Sequence, residues 1–130
     1  MGSKRYNVLI VEDDQALQYL YKLKLEREGF NVSTADNGND GFKLSKSFAP
    51  DIMLIDILLP EMDGTEMLQK IRSNDWGSNI RVIILTNVSK DEAPQALRLL
   101  NIDRYIVKAH YTPAQIVDII YSVVGRDKKH

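Results

Sequence analysis

The sequence predicts a doubly wound α/β domain with five parallel strands in the order 2-1-3-4-5. Three observations lead there. Short, continuously apolar, β-branched-rich runs recur along the chain, as strands covered on both faces require. Segments with apolar residues at helical spacing separate them, so β and α alternate five times. The connections are short, and right-handed crossovers then place helices on both faces of one sheet.

The first strand is Val8-Leu9-Ile10-Val11. Leu17, Leu20, Tyr21, Leu23 and Leu25 form the stripe of the first helix, with Asp14 as its cap and Gly29 as its stop. A weaker strand follows at Val32-Ser33-Thr34-Ala35, then a helix marked by Phe42, Leu44 and Phe48 and ended by Pro50. Ile52-Met53-Leu54-Ile55 is the third strand, and Met67, Leu68 and Ile71 mark the third helix. Trp76 and Gly77 fall in the next loop, where the tryptophan is expected to pack on a neighbouring helix. The fourth strand is Val82-Ile83-Ile84-Leu85, and Ala93, Ala96, Leu97 and Leu100 predict a fourth helix. Tyr105-Ile106-Val107 is the last strand. Ile116, Ile119, Ile120, Val123 and Val124 mark the last helix, entered through a Thr112 cap and a first-turn Pro113.

The 130 residues make one domain, read as 5–125, between an N-terminal extension or cloning scar at 1–4 and a polar tail at 126–130. Seventeen Lys and Arg against eighteen Asp and Glu leave a formal charge of −1, a poor basis for direct nucleic acid contact. With no cysteine, disulfides, thiol catalysis and thiolate metal sites are excluded. No apolar run suits a membrane span, and no signal peptide is legible, so a cytoplasmic location without membrane attachment is expected. His110 and His130 have no partner at metal-ligand spacing.

Chemistry gathers where the strands end. Glu12, Asp13 and Asp14 follow the first strand, Asp56 the third, Thr86 the fourth and Lys108 the fifth. In the predicted topology all of these open onto one sheet edge, at the switch point where such folds bind ligands. Carboxylates so gathered repel one another unless a cation sits among them, and an all-oxygen set favours Mg²⁺, with Mn²⁺ as a substitute. Adding Lys108 and Thr86 suits the site to a phosphoryl group, with a carboxylate as nucleophile.

From about residue 5 to 125 the chain resembles the receiver domain of two-component response regulators, a flavodoxin-like (βα)5 fold. The resemblance rests on Val8 to Asp14, on Asp51-Ile52-Met53-Leu54-Ile55-Asp56, and on Leu59-Pro60-Glu61-Met62-Asp63-Gly64. Ile84-Leu85-Thr86 and Tyr105-Ile106-Val107-Lys108 complete it. It implies that Asp56 accepts a phosphoryl group from a histidine kinase or phosphotransfer protein. Glu12, Asp13, Asp56 and the Leu58 backbone carbonyl would hold the metal. Thr86 and Lys108 would contact phosphoryl oxygens, and Tyr105 would switch with Thr86. A downstream protein or output domain would read the face of the fourth helix, fifth strand and fifth helix. On that face Gln95, Arg98, Tyr105 and Tyr111 are expected to be exposed. Pro60 presets φ in the loop leaving Asp56, and Gly64 is expected to supply a positive φ.

Departures from the family pattern carry expectations of their own. Asn87 stands where a small residue is usual and should narrow access to Asp56. Ala109 replaces a common proline, so the Lys108–Ala109 peptide should be trans. By the same resemblance, Leu58 and Val88 would flank the approach to the phosphoryl group, and both are apolar. With Asn87 they should slow its hydrolysis, because they cannot hold an attacking water.

Two other functions compete. A metal-dependent phosphatase would use an aspartyl phosphate, and Asp63-Gly64-Thr65 is superficially similar to such enzymes. The spacing to the nucleophile and the lack of a cap domain fit poorly. A flavin carrier needs a phosphate loop after the first strand, where Glu12, Asp13 and Asp14 would repel the phosphate. The receiver reading makes the chain a phosphoacceptor signalling domain rather than an enzyme.

Overall fold

The structure, a computed structural model, describes residues 5–125, so the readings on 1–4 and 126–130, His130 included, lie outside the described residues. Five strands form one parallel sheet: β1 (Asn7–Val11), β2 (Asn31–Ala35), β3 (Ile52–Ile55), β4 (Arg81–Thr86) and β5 (Arg104–Val107). Their order is β2-β1-β3-β4-β5, as expected. Among the described residues four α-helices cover it: α1 (Gln15–Arg27), α2 (Gly38–Ser47), α3 (Gly64–Arg72) and α4 (Pro113–Val124).

Strand alternation splits the core in two. Val8, Ile10, Ile52, Leu54, Ile83 and Leu85 pack with Tyr21 and Leu25 of α1 and with Ile116, Val117 and Ile120 of α4. Leu9, Val11, Met53, Ile55, Val82 and Ile84 face Met67, Leu68 and Ile71 of α3 on the other side. Burial on both faces accounts for the unbroken apolar runs. Trp76 packs against Phe42 of α2, ring centroids 5.7 Å apart and planes tilted by 56°.

The helix termini follow local chemistry. Asp14 Oδ1 accepts from the Leu17 amide at 3.1 Å, and Gly29 ends α1 with a φ of 98°. Thr112 and Gln115 form a capping box around Pro113.

The fourth helix is a correction. The chain instead forms 3₁₀ turns at Lys90–Glu92 and Gln95–Leu99. Pro94 lacks an amide donor and drives Ala93 to ψ 145°, out of the helical region. Leu97 and Leu100 remain buried because a three-residue period still puts both on one side. The turns leave a cleft of about 940 Å³ over β5, lined among others by Pro94, Arg98, Arg104 and Tyr105. Gln95 and Arg98 are exposed, as expected on this face, but Tyr105 and Tyr111 are half-buried.

Gly64 is a second correction. Its φ is not positive; the left-handed residue of that loop is Glu61, at 69°. What position 64 requires is room, since a Cβ there would lie 2.2 Å from the Asp56 carbonyl oxygen.

Candidate functional site

Sheet register assembles the site. Val11 of β1 is level with Ile55 of β3, and Ile55 with Ile84 of β4. Glu12 and Asp56, the next residues, therefore emerge side by side, and the Asp56 amide donates to the Val11 carbonyl at 3.1 Å. Thr86 ends β4 opposite Val107 of β5, which delivers Lys108 to the same edge.

Asp56 is buried and its carboxylate is held from several sides. Thr86 Oγ1 donates to Oδ1 at 2.6 Å, and the Leu58 amide donates to the same oxygen at 3.1 Å. Lys108 Nζ donates to Oδ2 at 2.6 Å. The same ammonium pairs with Glu12 Oε1, while Glu12 Oε2 accepts from the Asp14 amide at 3.0 Å. Burial pushes the Glu12 carboxyl above its usual range, against the pull of Lys108 and the Asp14 amide.

A carboxylate oxygen from each of Glu12, Asp13 and Asp56 lies within 4.8 Å of the others. Glu12 and Asp56 are buried and Asp13 is exposed, which leaves an approach from solvent. An all-oxygen, acidic donor set suits a hard divalent cation that keeps several of its waters.

The other sequence-selected residues lie around this centre. The Val88 amide donates to Thr86 Oγ1 at 3.4 Å, and the Tyr105 hydroxyl donates to the Val88 carbonyl at 2.7 Å. Burial raises the Tyr105 phenol pKa, with Asp56 adding to the effect. Asn87 is exposed and Val88 half-buried, and Leu58 is 62% exposed. Lys108–His110 is a 3₁₀ turn with no cis peptide. The turn still brings the Lys108 ammonium to both carboxylates.

The loop leaving Asp56 is clasped by α2. The Gly38 amide donates to the Pro60 carbonyl at 3.5 Å, and Asn39 Nδ2 donates to Glu61 Oε1 at 2.9 Å. Neither contact carries a motif in the sequence. Gln18 is also silent there, yet its side-chain amide reaches the Glu12 carbonyl at 2.8 Å.

A family model described as the response regulator receiver domain matches residues 8–121. The chain belongs to that family. It is 32% identical over 123 residues, 94% of its length, to a probable transcriptional regulator, ycf29, of Porphyra purpurea, of which it covers 58%. It is 34% identical over 123 residues, 95% of its length, to the cell cycle transcriptional regulator CtrA of Caulobacter vibrioides, of which it covers 52%. The receiver domain thus spans about half the length of the curated relatives it matches. A solved structure with the same fold is the receiver domain of a sensor histidine kinase from Pseudomonas aeruginosa, described with magnesium coordinated in its active-site cleft. The two superpose with a TM-score of 0.84 at 22% identity, over 94% of this chain and 99% of that one. Among the described residues no helix is long and apolar enough to cross a membrane.

Proposed function

We propose that this receiver domain accepts a phosphoryl group on Asp56 from a phosphohistidine of a histidine kinase or phosphotransfer protein. The observation that carries this is the Asp56 carboxylate, held between Thr86 and Lys108 with Glu12 and Asp13 beside it. An Asp56 oxygen attacks phosphorus in line, the phosphorus–nitrogen bond breaks, and the departing imidazole nitrogen takes a proton from solvent. Glu12, Asp13, Asp56 and the Leu58 carbonyl would hold Mg²⁺, or Mn²⁺ in its place. The ion would neutralise charge on the phosphoryl oxygens. Lys108 turns from the Asp56 carboxylate to a phosphoryl oxygen, and Thr86 donates its hydroxyl to another.

The output follows from the residues joined to Thr86. A shift of its hydroxyl toward phosphate is felt at Val88 and at the Tyr105 hydroxyl, on the face formed by residues 90–101, β5 and α4. A partner protein or an output domain reads that face in the cytoplasm, without direct nucleic acid or membrane contact by this domain. The domain assists its own phosphorylation and dephosphorylation and turns over no external substrate.

Fluorine NMR with beryllofluoride, a phosphoryl mimic, tests the proposal. A bound signal should appear with Mg²⁺ in the parent and vanish in Asp56→Ala or with chelator. A signal surviving in Asp56→Ala would overturn it.

A further inference from the structure

We infer that Gln18 is a positioning residue for the metal-holding carboxylates: its side-chain amide fixes the turn that presents Glu12 and Asp13. The inference rests on the reading of the site given above. Gln18 lies in α1, and its Nε2 donates to the Glu12 carbonyl at 2.8 Å and to the Ala35 carbonyl at 3.2 Å. The Ala35 carbonyl also accepts from the Glu12 amide at 3.0 Å. Strands β1 and β2 end at Val11 and Ala35, so the Glu12 carbonyl lies one residue past the ladder. A primary amide has two N–H donors on one nitrogen and can satisfy both carbonyls at once. Gln18 thus supplies the rung that the ladder lacks, at the residue where the acidic turn begins.

Glu12 has other anchors, namely Lys108 and the Asp14 amide. The Asp13 side chain has no hydrogen bond or ion pair among the described residues, so the backbone alone sets its position. A small hexacoordinate cation needs its ligands at about 2.0–2.1 Å, which makes its affinity sensitive to small backbone shifts. Partners that orient ligands typically contribute about 10- to 100-fold in metal affinity.

Calorimetric Mg²⁺ titration of the full chain tests this with two substitutions. Gln18→Met keeps the length and loses the donors. Gln18→Glu also loses them but adds negative charge, which by itself would tighten cation binding. The inference predicts about 10-fold weaker Mg²⁺ binding in both. The beryllofluoride complex should form to the same extent as in the parent once Mg²⁺ saturates. A Gln18 that only packs α1 on the sheet would lower the melting temperature and leave the Mg²⁺ affinity unchanged. Equal affinity in Gln18→Met, or tighter binding in Gln18→Glu, overturns the inference. In the parent, the Gln18 side-chain amide protons should be slow to exchange and should shift as Mg²⁺ is added; fast exchange without a shift overturns it without any substitution. A parent that binds no Mg²⁺ fails the site reading itself, which its own titration reveals.

Discussion

Lys108 Nζ stands 2.6 Å from Asp56 Oδ2, and the same ammonium also pairs with Glu12, so one cation serves two buried carboxylates. Burial alone would lower the Lys108 pKa, but hydrogen bonds to Asp56 and Glu12 outweigh it and raise the value. This pairing sets one ammonium against both carboxylates at the end of the sheet, where the nucleophile stands.

The same pairing gives stability a defined alkaline limit. A lysine whose folded pKa lies above its ordinary 10.5 contributes fully below that pH and loses its contribution as pH rises through the folded value. In metal-free buffer near neutrality Lys108→Met should cost about 3 kcal/mol, because two buried charges lose their partner. Urea unfolding repeated up the alkaline range should show the gap between parent and variant closing. A gap that stays constant would mean that the pair does not support the fold.

Gly38 and Gly29 should respond very differently to alanine. A Cβ on Gly38 would lie 1.8 Å from the Met62 carbonyl oxygen, where α2 meets the loop from Asp56. Gly38→Ala should therefore cost about 3 kcal/mol and disturb phosphorylation as well. Gly29 has open space but a φ of 98°, so Gly29→Ala should cost about 1 kcal/mol and leave phosphorylation intact. Equal costs in urea titrations would contradict the clasp.

The parallel sheet was legible because Val8–Val11, Ile52–Ile55 and Val82–Leu85 are apolar on both faces, and only a sheet covered on both sides suits such runs. Register then made the site legible, since residues following level strand ends must converge. The segment 90–101 reads as a helix but forms 3₁₀ turns, because Ala93, Ala96, Leu97 and Leu100 fit a period of three as well as 3.6. Pro94 was the available signal. Gln18 and Gly38 left no trace because backbone carbonyls are their partners, and Asn39 because it meets the Glu61 side chain only where two distant segments approach. Neither is written as a pattern of residue types.

Phosphorylation should be felt beyond its own loop. Asp56, Thr86, Val88 and Tyr105 are joined by consecutive hydrogen bonds, the last reaching the face over β5. Hydrogen exchange with and without beryllofluoride should change across residues 90–105. Tyr105→Phe, which loses the bond to the Val88 carbonyl, should blunt that change. Protection altered only around Asp56 would show that this route carries no signal.

The phosphorylated state should be long-lived. Leu58 and Val88 offer an attacking water no hydrogen bond, and Asn87 adds bulk beside them. The decay of phospho-Asp56 should be faster in Leu58→Asn/Val88→Glu, by about tenfold or more if a water is positioned. Unchanged decay would mean that these side chains leave the water undisturbed.

The most direct test of the account is the intact mass of the chain after incubation with acetyl phosphate. With Mg²⁺ the parent should gain one phosphoryl group and no more, and it should gain none in chelator. Asp56→Ala should gain none under either condition. An adduct of the same mass and yield in Asp56→Ala would place the chemistry on another residue and contradict the central claim.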